Sequence, residues 1–396
     1  MAFPSNTNII NVMKPSWITI PTELIGSLPR TTALLEGQQA YKAGHISENQ
    51  LEKLQDKAIR QTIAELEKTG PGQITDGEQA KPSFLVYPIA PLYPSSYSFE
   101  DVIDCFTITF SDGHQRAFGV IFNERLGKGR RTLPRLIKAP FQYGKYAVDY
   151  VHRAQQYTRR PIKQAIISPS ALSNVYPRAT IPSYTREQFL EDLVNEVEKD
   201  IRLCLEAGAD KVQMDFTEAR LSLKIDPSGK LLKQFIHLNN RVLDRFNNNP
   251  EYQYKIGIHI CPGGDRDSYH SLDVDYSSVL PSIFDLHAST FYLSLASERD
   301  RKKNLAIIRT FMKPYHRIFL GVIDPCDARV ETAEQVCDRI LEAVRFIPIE
   351  QLGTTDDCGY APFSDDESTT RAKCYDKIRA RVDGTRMAER ILNSRK

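Results

Sequence analysis

Residues 254–261 read YKIGIHIC, a run in which Ile256, Ile258 and Ile260 alternate with Gly257 and His259 before the segment closes on Cys261. It is apolar and short, as expected of a strand buried on both faces of a parallel sheet. Seven comparable runs lie on either side. They are 17–26 (WITIPTELIG), 73–77 (QITDG), 163–169 (KQAIISP), 211–216 (KVQMDF), 290–296 (TFYLSLA), 317–323 (RIFLGVI) and 349–355 (IEQLGTT). Between them fall stretches with helical spacing. Residues 46–69 are rich in helix formers. Thr185 followed by Gln188, and Thr332 followed by Gln335, each read as a capping box that opens a helix; the first of these helices runs to Ala207 and stops at Gly208. Eight β runs alternating with helices predict an α/β fold, a single (β/α)8 TIM barrel over residues 1–396.

The stretch 80–150 interrupts this rhythm and reads as an insertion in the loop after the second strand. It contains a predicted hairpin (VIDCFTITFSDGHQRAFGVIFN, with Asp112-Gly113 as its turn) and a basic segment at 125–138, RLGKGRRTLPRLIK. That basic segment reads as a solvated loop or as a grip for an anionic substrate tail.

Composition narrows the function classes. The 396 residues are 41% hydrophobic and 26% charged, with 52 basic against 50 acidic side chains. Such a balance argues against nucleic acid as a partner. No apolar run approaches the ~20 residues of a membrane span, so no membrane partner is expected. The first residues, MAFPSNTNIINVMKPSW, lack the basic start and apolar stretch of a signal peptide, which makes the cytoplasm the expected location. Seven scattered cysteines suit free thiols or metal ligands better than a disulfide framework.

Polar residues gather at the ends of the predicted strands, where a barrel of this class places its active site. These are Ser27, Glu78, Asp215, His259, Cys261 and Cys358. His259 and Cys261 are two apart in an extended segment, so their side chains point the same way and can converge on one ion. Imidazole nitrogen and cysteine sulfur are preferred zinc donors. A buried cysteine is ordinarily just a small apolar side chain; a third donor, Cys358, at another strand end sets metal ligation beside that plain reading. Asp215 and Glu78 suit a substrate amine, proton transfer or a structural ion pair with arginine. Ser27 offers a hydroxyl and an N–H to a carboxylate, or is a turn residue before Pro29.

In order, the motifs IGSLPR, DGEQ, QMD, IHIC and DDCG resemble the catalytic C-terminal half of cobalamin-independent methionine synthase, from about Ile25 to about Arg381. The resemblance implies a (β/α)8 barrel with zinc above its C-terminal face, where a homocysteine thiol is held as thiolate to attack a methyl group. It assigns His259, Cys261 and Cys358 to zinc. Ile25, Gly26 and Ser27 would hold the polar end of the amino-acid substrate, and Glu78 and Asp215 its amino group. The partners it implies are a small-molecule thiol and an alkyl donor.

Several positions depart from that family's pattern. Its glutamate ligand at the end of the sixth strand falls here at Ser294, with Glu298 a few residues on; Glu298, or a substrate thiol and water, would complete the shell. In GVIDPCDAR, Cys326 stands where the family's proton-donating histidine is expected, while Asp324 and Arg329 keep their places. Asp324 and Cys326 are therefore the candidate catalytic pair. The tryptophan of the folate-binding loop is missing from SPSALSNVYP, so the donor is left open. The chain is also similar to epoxyalkane:coenzyme M transferases, in which a zinc-bound thiolate opens an epoxide. A metal-binding barrel without catalysis and a uroporphyrinogen-decarboxylase-like barrel are further readings; H-x-C with a distant cysteine argues against the latter.

Overall fold

The computed structural model describes residues 17–92, 99–100, 107–109, 115–117, 135–177, 181–265 and 268–395. Six strands form one parallel sheet in chain order: Lys163–Ile167, Lys211–Asp215, Ile256–Ile260, Thr290–Leu293, Arg317–Ile323 and Leu352–Asp356. Each matches one of the expected runs to within a few residues. Their side chains are buried almost throughout, which explains why they read as continuous apolar runs rather than alternating ones.

The first two expected strands are reduced to one bridge each. Ile74 pairs with Ile162 beside one edge of the sheet, and Thr22 pairs with Thr354 at the other. The two segments also meet each other: Leu28 N donates to Gly77 O at 3.0 Å, and Thr75 Oγ1 to Gly26 O at 3.0 Å. Hydrogen bonds thus link the two bridge segments to each other as well as to the two edges of the six-stranded sheet. Pro21 and Pro29 in one segment, and Pro71 before the other, limit how far either can extend as a ladder, because proline has no N–H to donate.

The helices follow their caps. Glu48–Thr69, Arg186–Glu206 and Ala333–Ala343 all begin with complete capping boxes, and the first ends on a left-handed Gly70. The last helix, Arg371–Ser394, packs closely on Ala333–Ala343: a Cβ at Gly384 would stand 2.6 Å from Ala333 O. It also ties down the beginning of the described chain, since Asn393 Oδ1 accepts from Ile18 N at 2.7 Å. No helix among the described residues is long and apolar enough to cross a membrane.

Within the expected insertion, Thr107–Thr109 pairs antiparallel with Gln115–Ala117, the two arms of the predicted hairpin. Its Asp112-Gly113 turn, Cys105 and residues 125–134 of the basic segment lie outside the described residues. Phe99–Glu100 pairs with Arg135–Leu136, and the helix Val148–Gln155 leads back to the sheet.

Candidate metal centre

Parallel register brings the central residues together. Asp215 and His259 are direct partners on adjacent strands, and Asp215 Oδ1 lies 3.0 Å from His259 Nδ1. This contact leaves Nε2 as the ring's other donor atom, and Nε2 faces the turn that carries Cys358, 3.3 Å from Asp357 O. Cys261 follows two residues after His259, and its sulfur lies 3.4 Å from that of Cys358. All three residues are buried, with ligand atoms within 4.8 Å of one another.

These residues fit zinc. Two thiolates at about 2.3 Å from a tetrahedral ion stand roughly 3.8 Å apart, so the observed sulfur separation needs only a small adjustment. A carboxylate on the far nitrogen of the histidine is the usual outer partner of a metal-bound imidazole. Backbone N–H groups serve the sulfurs: Gly263 N donates to Cys261 at 3.3 Å, and Gly264 N to Cys358. Gly263 sits at φ +75°, where a Cβ would collide with the His270 ring, so this turn requires glycine.

Electrostatics agree with the geometry. The hydrogen bond from Cys261 lowers the Cys358 thiol against the effect of burial, while burial pushes Cys261 well up. One of the two sulfurs is therefore disposed to ionise first. Burial works to lower His259, but the hydrogen bond and charge of Asp215 outweigh it, and the net direction is upward.

The centre opens on a cavity of about 270 Å³ whose wall includes Ile25, Ser27, Glu78, Asp215, His259 and Cys358. Ser27 is set by the turn after Cys358: Tyr360 N donates to its carbonyl at 3.0 Å and Ala361 N to its Oγ at 3.3 Å. Glu78 is reached through a left-handed turn, with φ +56° at Glu78 itself, held by Glu78 N donating to Asp76 Oδ1. A non-glycine residue in that region is strained, and such strain concentrates at functional sites. Burial raises the Glu78 carboxyl, and Lys81 opposes this at 3.0 Å from Oε1. Oε2 of Glu78 has no partner among the described residues.

Other expected residues join neither the donor cluster nor the cavity wall. Glu298 is paired with the buried guanidinium of Arg220, and Ser294 is buried with no partner for its hydroxyl among the described residues. Neither belongs to the donor cluster. Asp324 accepts from Tyr269 OH at 2.5 Å and from Cys326 N at 3.0 Å, but neither Asp324 nor Cys326 lines the cavity. Burial pushes the Cys326 thiol far up. Arg329 points to solvent beside Asp327. Sequence reasoning missed Lys81, which pairs with Glu78 without lining the cavity itself, and Asp357, whose carboxylate accepts from the backbone N–H groups of Leu295, Ala296 and Ser297. It also missed Glu218 on the cavity wall.

Residues 130–376 match the family model described as the catalytic domain of the cobalamin-independent synthase. A 5-methyltetrahydropteroyltriglutamate–homocysteine methyltransferase of Neisseria gonorrhoeae is 23% identical over 359 residues, which are 87% of this chain and 41% of that protein. The chain thus spans less than half the length of the curated relatives it first matches. Protein YxjH of Bacillus subtilis is 24% identical over 374 residues, 91% of this chain and 92% of its own. Among solved structures, a B12-independent methionine synthase from Shewanella, in complex with selenomethionine, superposes with a TM-score of 0.68 at 16% identity, covering 95% of this chain and 99% of that one. On the strength of the matched domain, the chain belongs to the cobalamin-independent methionine synthase family.

Proposed function

We propose that the protein transfers a methyl or other alkyl group to the thiol of a small amino-acid acceptor resembling homocysteine, with zinc held by His259, Cys261 and Cys358. The observation that carries this reading is the opening of the three-donor cluster, through His259 and Cys358, on the same cavity as Ser27, Glu78 and Asp215. Zinc bound there supplies the positive charge that keeps an acceptor thiol deprotonated near neutral pH. Ser27 accepts from Ala361 N, so its own hydroxyl proton remains to be given to an acceptor carboxylate. Glu78 offers Oε2, which has no partner among the described residues, to an ammonium group. Asp215 holds the His259 ring in one tautomer. The zwitterionic end of the acceptor thereby fixes its sulfur toward the metal donors.

The test pairs metal content with turnover. Wild type and Cys358→Ser are purified, checked for fold by circular dichroism and analysed for zinc, then supplied with homocysteine and candidate alkyl donors. About one zinc per chain, lost in the variant together with thioether product, is the expected result. A folded, zinc-free wild type that is indistinguishable from Cys358→Ser would overturn the proposal.

A further inference from the structure

Beyond the metal donors and the acceptor-binding residues, the cavity wall carries another buried acid, Glu218. It opens the helix Glu218–Ile225, directly after the strand that ends on Asp215. The hydroxyls of Ser168 (2.7 Å) and Ser170 both converge on its Oε1. Oε2 has no partner among the described residues, and the residue is only 8% exposed.

An ionised carboxylate held in this way would keep one charged oxygen buried and unsatisfied, which is costly. A neutral acid removes that cost. Ser168 donates to Oε1, and Ser170 Oγ is shared between Oε1, Ser168 Oγ and Asn239 Oδ1, which leaves Oε2 as the oxygen open to the acid proton. Burial raises this carboxyl to about 7, with hydrogen bonds from Ser170 and Ser168 pulling back and the charge of Asp215 adding to the rise. Elsewhere the wall is largely apolar, with Phe84, Leu221, Ile225 and Phe235 among its residues.

We propose that Glu218 is the general acid that protonates the leaving group of the alkyl donor, and that the donor therefore carries its transferable carbon on nitrogen or on a strained ring oxygen. This rests on the thiol-alkylation reading above and adds the identity of the acid and the class of donor. In the step, the acceptor sulfur uses its electron pair to form the new S–C bond. The old C–N or C–O bond breaks with its pair moving to the heteroatom. The Oε2 proton of Glu218 passes to that heteroatom, and the resulting carboxylate regains a proton from water before the next cycle. A sulfonium donor departs as a neutral thioether and needs no such proton. Cys326 is placed less well for this role, since it does not line the cavity and burial makes its thiol a weaker proton donor still.

The experiment compares the wild-type holoenzyme with Glu218→Gln and Glu218→Asp. Homocysteine is the acceptor, and the donors are methyltetrahydrofolate (nitrogen), 1,2-epoxypropane (oxygen) and S-methylmethionine (sulfonium). For whichever nitrogen or oxygen donor the wild type uses, Glu218→Gln should lower kcat by about 10²–10⁴-fold, the usual range for a lost general acid. Zinc content and homocysteine affinity should be unchanged, and Glu218→Asp should recover part of the loss. The loss with S-methylmethionine should be at least about tenfold smaller. Infrared difference spectra of the wild type should show a protonated buried carboxyl at neutral pH that is absent from Glu218→Gln, a readout that stands even if turnover of a variant is poor. Equal losses with all donors, no loss with any, or a wild type that alkylates only from S-methylmethionine would each overturn the assignment while leaving thiol alkylation intact. A wild type that binds no zinc and alkylates with no donor would remove both readings.

Discussion

Oδ1 of Asp215 and Nδ1 of His259 stand 3.0 Å apart on neighbouring strands, where the two residues are register partners. The carboxylate fixes the ring tautomer and makes Nε2 a stronger donor. Asp215→Asn should weaken zinc binding by about 10–100-fold, read by competition with a chromophoric chelator. An unchanged affinity would show that the pair is merely structural.

A Cβ at Gly321 would stand 1.8 Å from Oδ1 of Asp357, the carboxylate that binds the backbone of Leu295, Ala296 and Ser297. Gly321→Ala must displace Asp357, and with it the neighbouring Cys358. A loss of about 1–3 kcal/mol in urea unfolding of the metal-free protein is expected from overpacking. Weaker zinc binding should accompany it; a variant with wild-type stability would show that the loop absorbs the methyl group.

Lys81 is buried, bound to Glu78 Oε1 at 3.0 Å and to Ala165 O at 2.8 Å, with its ammonium 4.7 Å from the centre of the Tyr87 ring. Lys81→Met removes the charge and leaves Glu78 without its cation. The expected cost is about 3–5 kcal/mol, the usual penalty for breaking a buried pair from one side. Denaturant titration measures it, and a change below about 1 kcal/mol would mean that Glu78 is neutral in the wild type.

Asp200 is buried, accepting from Tyr87 OH at 2.5 Å and from Ala147 N at 2.6 Å. Burial raises its carboxyl from 3.8 to about 6. Below both values the folded and unfolded chains are protonated alike at this site, so it contributes nothing. As pH rises from about 4 to about 6 the unfolded chain ionises first, and stability should fall by up to roughly 3 kcal/mol. Asp200→Asn cannot ionise and should lack that fall. Parallel stability profiles over this window would refute the assignment.

Much of this architecture could be read directly from the chain. Strands such as Ile256–Ile260 are legible because burial on both faces demands uninterrupted apolar side chains. The helices that start after Thr185 and Thr332 are legible because their caps are local chemistry. By contrast, 17–26 and 73–77 look like full strands but contribute single bridges, since prolines in or beside them limit the ladder.

The site was legible where spacing alone sets geometry, as with His259 and Cys261. Cys358 was read as a third donor from its place after the last expected strand, and the family resemblance assigned the same residue. Glu298 looked like a spare ligand until Arg220, 78 residues earlier, claimed it. Glu218 left only a faint trace, an acid at the start of an apolar helix with Ser168 and Ser170 after the preceding strand. Their convergence depends on the parallel pairing of Lys163–Ile167 with Lys211–Asp215.

Cys261 and Cys358 are separated by 97 residues, and Ser27 is pinned by the backbone beyond Cys358. On a ribosome, the emerging chain would present His259 and Cys261 long before their third companion. A nascent chain could hold zinc only loosely until its last strand has emerged and docked beside the first segment. On the zinc reading proposed above, metal capture would be a late event in the birth of the protein and a natural checkpoint of completed folding. Translation arrested just before residue 358 should yield a chain that surrenders its metal to weak chelators, and a few dozen further residues should change that.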